Sequence, residues 1–146
     1  MEVDEVDRLR RMVSRIAREL NASATAEGLT PTQASVLGVI AGRGPLSLTE
    51  IAAIERLNPT MLSRVVGKLE VAGLITRQPD PADLRTVTAH ITVQGRRTHA
   101  RVKQQRVAAV AGRVARLTAT EQAQLVAALP ALEALAEQLR RGDEDA

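Results

Sequence analysis

The chain of 146 residues contains no cysteine and no aromatic residue. Without cysteine it can form no disulfide, no thiol redox switch and no cysteine-based zinc site. Without Phe, Tyr or Trp it lacks the stacking platforms on which binders of RNA and of single-stranded nucleic acid rely. The core must be built from aliphatic side chains, which suits alanine-rich helices better than a large sheet. If the chain binds nucleic acid, its composition therefore favours duplex DNA.

Membrane and secretory signals are also missing. No stretch approaches the ~18 consecutive apolar residues that a membrane-spanning helix needs. The first residues, Met1-Glu2-Val3-Asp4-Glu5, are acidic and lack the apolar region of a secretory signal. A cytoplasmic location is the expectation that follows.

Signs of catalysis and of metal binding are equally scarce. The two histidines, His90 and His99, have no nucleophile and carboxylate at a spacing that suggests a catalytic arrangement. The sequence has no HExxH motif, no glycine-rich phosphate loop and no paired carboxylates on one helix. We expect both histidines to be surface residues, and we expect no enzyme activity, catalytic residue, cofactor or metal site.

Two consecutive helices are predicted between Ser47 and Val71. Ser47-Leu48-Thr49-Glu50 is a capping box, in which the serine and glutamate side chains each accept an amide hydrogen at a helix start. Asn58-Pro59 predicts a second start, because proline has no N–H to lose at the first helical position. Apolar residues then recur at helical spacing along the second helix: Leu62, Val65, Val66 and Leu69. This spacing indicates one buried side and one exposed side.

A β-hairpin is predicted to follow. Gly73 stands where a glycine ends many helices, and residues 74–78 have the composition of a short strand. Residues 79–84 contain two prolines and two aspartates, which favour a turn. In the return strand 85–91, the expected inward residues are Val87, Ala89 and Ile91. Leu46 is expected to form a tiny strand beside this hairpin. Helix, turn, helix, strand, turn, strand is the order of a winged helix-turn-helix, which reads DNA.

The residues of this region resemble the signature of the MarR family of bacterial transcriptional regulators. The resemblance is carried by Leu69-Glu70-x-x-Gly73-Leu74-Ile75-x-Arg77, by Asp83-x-Arg85-Thr86-Val87 and by Ile91-Thr92-x-x-Gly95-Arg96. It is specific through the wing and looser over the terminal helices. One departure is that Glu55-Arg56-Leu57 lacks the glycine often found in the turn of a helix-turn-helix.

The resemblance also implies which side chains contact DNA. The helix from Pro59 would enter the major groove, where Thr60, Ser63 and Arg64 would read bases. Arg85, braced by Asp83, would enter the adjacent minor groove. Lys68 and Arg77 would bind phosphates.

Charge is distributed unevenly along the chain, although the net charge is only +3. Residues 61–117 carry eleven Lys/Arg against three Asp/Glu, whereas residues 118–146 carry two against six. The basic excess thus begins in the proposed recognition helix, where a surface facing phosphates needs it. Farther along, Arg101, Lys103 and Arg106 are interpreted as a solvated helix face.

Both ends of the chain have helical stripes of apolar residues. The N-terminal stripe consists of Val6, Leu9, Val13, Ile16 and Leu20, and the C-terminal one of Leu125, Leu129, Leu132, Leu135 and Leu139. A small monomer cannot hide both easily, so a homodimer is expected, as the resemblance also implies. Packing of the two stripes against each other within one chain is the alternative. A bend is expected at Pro130, and a frayed acidic tail at the C-terminus.

The expected fold is mainly α with a small β-hairpin wing (α+β), a winged helix-turn-helix whose terminal helices form a dimerisation region. Residues 1–29 are assigned to an N-terminal dimerisation helix, 30–91 to the DNA-binding region, and 92–146 to a long helix and a C-terminal dimerisation helix, all within one intertwined domain.

The expected function is sequence-specific regulation of transcription, as a repressor bound to a pseudo-palindromic operator. The resemblance implies a crevice between the dimer helices and the winged helix for a small, often anionic or phenolic effector. Arg10, Arg11, Arg15 and Arg18 could offer it charge; the solvated side of a helix is the other interpretation. Two alternatives stay open: a winged-helix module that contacts an acidic protein, and a ligand carrier or enzyme on the same scaffold.

Overall fold

The computed structural model describes residues 1–22 and 27–142. The described part contains six helices and one antiparallel sheet: α1 (Val3–Ala22), α2 (Pro31–Arg43), β1 (Leu46–Ser47), α3 (Leu48–Glu55), α4 (Pro59–Val71), β2 (Ile75–Pro79), β3 (Val87–Ile91), α5 (Val93–Val114) and α6 (Ala119–Gly142). The expected fold class, mainly helical with a small hairpin, is confirmed. Two compact units are distinguished, Met1–Val107 and Ala108–Ala146. The expectation of a frayed tail lies outside the described residues.

Helices α2 to α6 begin where the sequence predicted, because each of these starts is fixed by a local side chain. The Ser47 Oγ accepts the Glu50 amide at 3.1 Å, and the Glu50 carboxylate accepts the Ser47 amide at 2.7 Å. Thr30 and Gln33 form the same capping box at α2, and Thr118 and Glu121 form it at α6. Asn58 Oδ1 accepts the Met61 amide at 2.8 Å. These caps satisfy amides that have no partner inside their helix.

The core of the first unit is wholly aliphatic. Its largest fully buried side chains come from α2, α3, α4 and β2: Leu37, Ile40, Ile51, Leu62, Leu69, Ile75, Val36 and Val66. Val102 brings α5 into the same cluster. Burial of each such side chain contributes about 1.5–3 kcal/mol. The exposed side of α4 is therefore held in place by a well-packed opposite side.

Two helix ends use the left-handed backbone region. Gly73 follows α4 with φ 74°, as predicted, and the Leu74 amide donates to the Leu69 carbonyl at 3.0 Å. Arg56 follows α3 with φ 53°, and the Leu57 amide donates to the Ala52 carbonyl at 3.0 Å. Both are Schellman-type ends. The turn of the helix-turn-helix thus forms with arginine where glycine is usual.

The sheet has the strand order β1-β3-β2, so that the wing hairpin is joined by the short strand at Leu46. Two details of the prediction were wrong. Pro79 was assigned to the turn but pairs with Val87 as the last residue of β2; β2 is an edge strand, where proline is tolerated. Val87 was expected to point inward but is exposed, whereas Ala89 is fully buried.

The first turn of α5 is joined tightly to the end of α4. Thr92 donates its amide to the Leu74 carbonyl at 3.1 Å and its hydroxyl to the Gly73 carbonyl at 2.7 Å. Its Oγ1 also accepts the Gly95 amide at 2.9 Å, as the predicted N-cap should. This junction anchors the base of the wing.

α6 runs without a break through Pro130. Among residues 1–22 and 27–142, no helix combines the length and the low polarity that crossing a membrane would require.

Candidate nucleic-acid interface

The side of α4 that faces away from the core carries the predicted DNA-reading residues. Thr60, Ser63, Arg64 and Lys68 are all exposed. Helical spacing places these residues opposite the buried side of α4, which consists of Leu62, Val65, Val66 and Leu69. Hydroxyl and cationic donors therefore lie together on one accessible helix surface, as contacts to base edges and phosphates require.

A shallow surface depression lies on the same helix, lined by Arg64, Gly67, Lys68, Val71 and Ala72. Met61 is also exposed beside Thr60. Met61 and Val71 were not among the predicted contacts, although both lie outside the buried stripe, and that position was the signal available. An exposed apolar group beside polar donors can contact a thymine methyl.

The tip of the hairpin, residues 80–86, is ordered by its own hydrogen bonds. The Asp80 amide donates to the Thr86 carbonyl at 2.8 Å, and the Ala82 amide donates to Asp80 Oδ1 at 2.9 Å. The Thr86 amide donates to the Asp83 carbonyl at 2.9 Å. Aspartate side chains that accept nearby amides stabilise such turns. The tip therefore presents Arg85 from a structured loop.

Arg85 is almost fully exposed, with 93% of its side-chain surface accessible. The expected contact with Asp83 is present: Asp83 Oδ1 accepts the Arg85 amide at 3.1 Å and Nε at 3.2 Å. These two bonds, the backbone one first, lower the pKa of the Asp83 carboxyl, so it is ionised at neutral pH. Because the guanidinium bond uses only Nε, the two Nη groups are left for a ligand.

Arg77, predicted to bind phosphate, already has a partner. Its Nη2 and Nε donate to Glu70 Oε2 at 2.6 and 2.9 Å, and its amide donates to Glu70 Oε1 at 3.3 Å. The guanidinium hydrogen bond is the main cause of the lowered pKa of Glu70. The contact joins α4 to β2 across the surface that carries the other predicted contact residues.

The interpretation of α5 as a solvated basic face was only partly right. Lys103 and Arg101 are both exposed, as expected, and Arg101 Nε forms an ion pair with Glu27 at 3.2 Å. For Arg106 the interpretation was wrong: Nε and Nη2 are buried without a hydrogen-bond partner among the described residues. Arg106 follows Val102 by one helical turn, and this spacing was a signal that it lies on the packed side.

The histidines are not simple surface residues either. His90 Nε2 lies 2.9 Å from Thr88 Oγ1 on β3, and both are half-buried. The half-buried ring of His99 packs on Gly38, where an added Cβ would lie 3.2 Å from Cε1. Within the described ranges, no three His, Asp or Glu side chains lie together as metal ligands would.

The arginines of α1 lie on an exposed helix surface. Arg11 and Arg10 both bond to Asp7 within α1, and Arg15 and Arg18 are exposed. The structure thus separates the basic residues of the winged region from those of α1, which lie in a different element.

Comparisons with known proteins agree with this geometry. A family model described as "MarR family" matches residues 29–87. The HTH-type transcriptional regulator YkoM of Bacillus subtilis is 38% identical over 68 residues, 47% of this chain and 44% of that protein. The HTH-type transcriptional repressor MdtR of the same organism is 29% identical over 87 residues, 60% of this chain and 56% of that protein. The matches thus span about half the length of these curated relatives.

Similarity to a solved structure extends over nearly the whole chain. The crystal structure of RV1404 from Mycobacterium tuberculosis aligns with a TM-score of 0.78 and 27% identity, covering 94% of this chain and 95% of that one. Fold and exposed surface thus define a winged helix-turn-helix protein. More narrowly, residues 29–87 match the MarR family model, and the two curated relatives named above are HTH-type transcriptional regulators.

Proposed function

We propose that this protein is a transcriptional regulator that binds duplex DNA sequence-specifically, as a homodimer on a pseudo-palindromic operator. One observation carries the proposal. The polar and basic side of α4 and the arginine at the wing tip are both exposed, while the opposite side of α4 is buried in the core. A duplex can therefore meet both elements without any rearrangement of the packed residues.

Each element has a separate part in the proposal. Thr60, Ser63 and Arg64 read base edges in the major groove, and Lys68 binds a phosphate. Arg85, held by Asp83, enters the minor groove, where a narrow groove has an enhanced negative potential. The basic excess of residues 61–117 supplies a sequence-independent attraction to the phosphates.

Dimerisation is supported by the exposure of both terminal stripes. In α1 the exposed apolar residues are Val6, Met12, Val13, Ile16 and Leu20, and in α6 they are Leu125, Val126, Leu129, Leu132, Leu135 and Leu139. Apolar side chains exposed along a helix of each unit leave surface that a second copy of the chain can cover. Two-fold symmetry would repeat the recognition helix about one DNA turn away, ~34–36 Å along the duplex. We assign residues 1–29 and 92–146 to this interface and residues 30–91 to DNA binding.

Repression is the expected outcome of operator binding, and the repressor MdtR among the relatives supports it. A cytoplasmic location goes with a role on DNA. We retain Arg11, Arg15 and Arg18 as the predicted contacts of an anionic effector. Arg15 and Arg18 are the better candidates, because Arg11 is bonded to Asp7. Loss of ligand-induced release in Arg15→Ala would support that role, and unchanged release would reject it.

Selection from a pool of random duplexes tests the proposal. Purified protein should enrich a palindromic sequence, and affinity for that sequence should fall steeply with salt, as several phosphate contacts require. Enrichment of no sequence would instead favour the alternative of a winged-helix module that contacts an acidic protein.

The selected duplex then tests the role of the wing. Arg85→Ala should lose ~1–3 kcal/mol of binding free energy, about 5–150-fold in Kd, at fixed salt. Arg43→Ala is the matched control, because Arg43 is an exposed arginine in the last turn of α2 that is not among the predicted contacts. Equal affinity of Arg85→Ala and the parent protein would reject the minor-groove role.

A further inference from the structure

In the described part of the chain, Arg77 is the one predicted DNA contact whose side chain bonds to a different element, through Glu70. Glu70 lies in the last turn of α4, and Arg77 lies in the middle of β2. Both oxygens of the carboxylate are used: Oε2 accepts two guanidinium hydrogens, and Oε1 accepts the backbone amide of the same arginine. Because one of these bonds is to the backbone amide, the contact restrains the strand β2 as well as the Arg77 side chain.

The register of the hairpin explains why that amide is available. The amide of Thr92 donates to Leu74 and that of Asp80 donates to Thr86, at the two ends of the β2–β3 ladder. Because bonded and non-bonded pairs alternate in an antiparallel ladder, the amide of Arg77 points toward the open edge of β2. An edge amide needs a partner from outside the sheet. Glu70 supplies that partner from the recognition helix.

We propose that Glu70 is a positioning residue that fixes the wing relative to the recognition helix, and that Arg77 bonds to Glu70 and not to a DNA phosphate. The inference rests on the proposed function, because it assigns parts within the same DNA-binding surface. Only Ala72, Gly73 and Leu74 connect α4 to β2 along the chain, and Gly73 adds backbone freedom there. The contact closes a ring around this connection, so that the hairpin cannot pivot about it freely.

DNA binding depends on this geometry because two grooves must be occupied at once. If the wing pivots, Arg85 leaves the minor groove while α4 stays in the major groove. Residues that contact no ligand but hold its binding elements typically change affinity by ~0.5–2 kcal/mol, which is about 2–30-fold. We expect the loss for Glu70 variants to fall within that range.

Whether DNA affinity falls or rises when Glu70 is replaced distinguishes the positioning role from a purely electrostatic effect of its charge. Glu70 is one of only three carboxylates in residues 61–117, the others being Asp80 and Asp83. A negative charge on a surface that faces phosphates opposes binding, so its removal alone should strengthen affinity and free Arg77 for a phosphate. The positioning role predicts weaker affinity instead.

Two substitutions of Glu70 test this on the full-length protein and a selected duplex. Glu70→Gln removes the charge, whereas Glu70→Asp keeps it but shortens the side chain, so that it cannot reach both groups. Both should bind about three- to tenfold more weakly than the parent protein, with an unchanged salt slope. Glu55→Gln in α3 controls for the loss of one negative charge: its amide oxygen can still accept the Ser35 hydroxyl, and this variant should bind at least as tightly as the parent does.

Arg77→Gln should weaken binding to the same extent, also without a change in salt slope, and the double variant Glu70→Gln/Arg77→Gln should be no weaker than either single one. A phosphate contact by Arg77 would instead lower the salt slope by about one. Glu70→Gln binding as tightly as the parent or more tightly would overturn the proposal.

Amide hydrogen exchange of the free protein gives a measurement that needs no DNA. Exchange in residues 74–87 should accelerate in Glu70→Gln and Glu70→Asp, while exchange in residues 36–40 of the core stays at the parent's rate. Unchanged exchange in the hairpin would overturn the positioning role even if affinity fell. If the parent protein selected no duplex, the proposed function would fail, but faster hairpin exchange would still establish the tie between α4 and β2.

Discussion

Gly95 lies at the closest approach of α5 to the base of the wing, and replacing it should destabilise the fold. A Cβ built on Gly95 would lie 2.0 Å from the Leu74 carbonyl oxygen and 2.8 Å from Ile91 Cγ1. The nearer atom belongs to the backbone, and that carbonyl also accepts the Thr92 amide at 3.1 Å. The Leu74 carbonyl cannot move away from the added methyl without breaking the junction between α4, the hairpin and α5.

The size of the effect follows from the overlap. An added methyl that forces backbone to shift in a well-packed site costs ~1–3 kcal/mol, occasionally more. We expect Gly95→Ala to lie near the top of that range, at about 3 kcal/mol, because the contact is with backbone. In a chain of this size 1 kcal/mol corresponds to roughly 2–4 °C in Tm, so that the expected loss is about 6–12 °C.

Thermal unfolding followed by far-UV circular dichroism is the suitable assay, since a chain without aromatic residues has no intrinsic tryptophan or tyrosine fluorescence. All variants are compared at one protein concentration, because the stability of a dimer depends on it. Gly112→Ala in the same helix is the control: its added Cβ would meet nothing within 4 Å. It should raise stability by ~0.5–1 kcal/mol. The bottom of the overpacking range, ~1 kcal/mol, would lower Tm by about 2 °C. A Tm of Gly95→Ala within about 2 °C of the parent's would therefore refute this prediction.

Three further predictions concern a turn, an ion pair and the dimer. Arg56→Gly should stabilise the fold by about 0.5–1 kcal/mol in the same thermal assay. The left-handed conformation costs an L-residue ~1–2 kcal/mol, and the greater backbone entropy that glycine loses on folding offsets only part of this gain. A lower Tm would contradict the prediction. The hydrogen bonds from Arg140 and then Arg141 lower the pKa of Glu137 to about 2. The stabilisation from these two bonds is therefore complete above the ordinary pKa of 4.5 and disappears as pH falls toward 2. The Tm of Glu137→Gln should lie below that of the parent protein at pH 7 and should equal it at pH 2. An equal difference in Tm at both pH values would contradict this. Leu129→Asp should shift the protein to monomer in light scattering, whereas Ala134→Asp on the opposite side of α6 should not; dimers of unchanged mass in both would reject the α6 interface.

Local chemistry explains why much of the fold could be predicted. The capping boxes, the Asn58-Pro59 start and the left-handed Gly73 each depend on residues within a few positions of one another, and each was found as predicted. Spacing along α4 also separated its buried side from its exposed side, because helical geometry alone fixes which residues share a face. The contact between Asp83 and Arg85 is equally local.

The errors all concern contacts between elements. Pro79 could be a strand residue only because the third strand lies on the other side of β3, leaving β2 at an edge. Arg106 was placed on a solvated helix face, but two of its side-chain nitrogens are buried. The partner of Arg77 lies seven residues back, on another element, and a pattern of charges offers no sign of it.

The sequence by itself determined where α2 to α6 begin, which side of α4 is apolar, and that an arginine stands at the tip of a hairpin, because backbone geometry and neighbouring side chains fix these features. Only the tertiary structure decided which charged groups are free for a ligand and which are already bonded, because that depends on which elements meet and how closely. Gly95 illustrates the difference: its position in a motif was visible in the chain, but the carbonyl oxygen that excludes a side chain there was not.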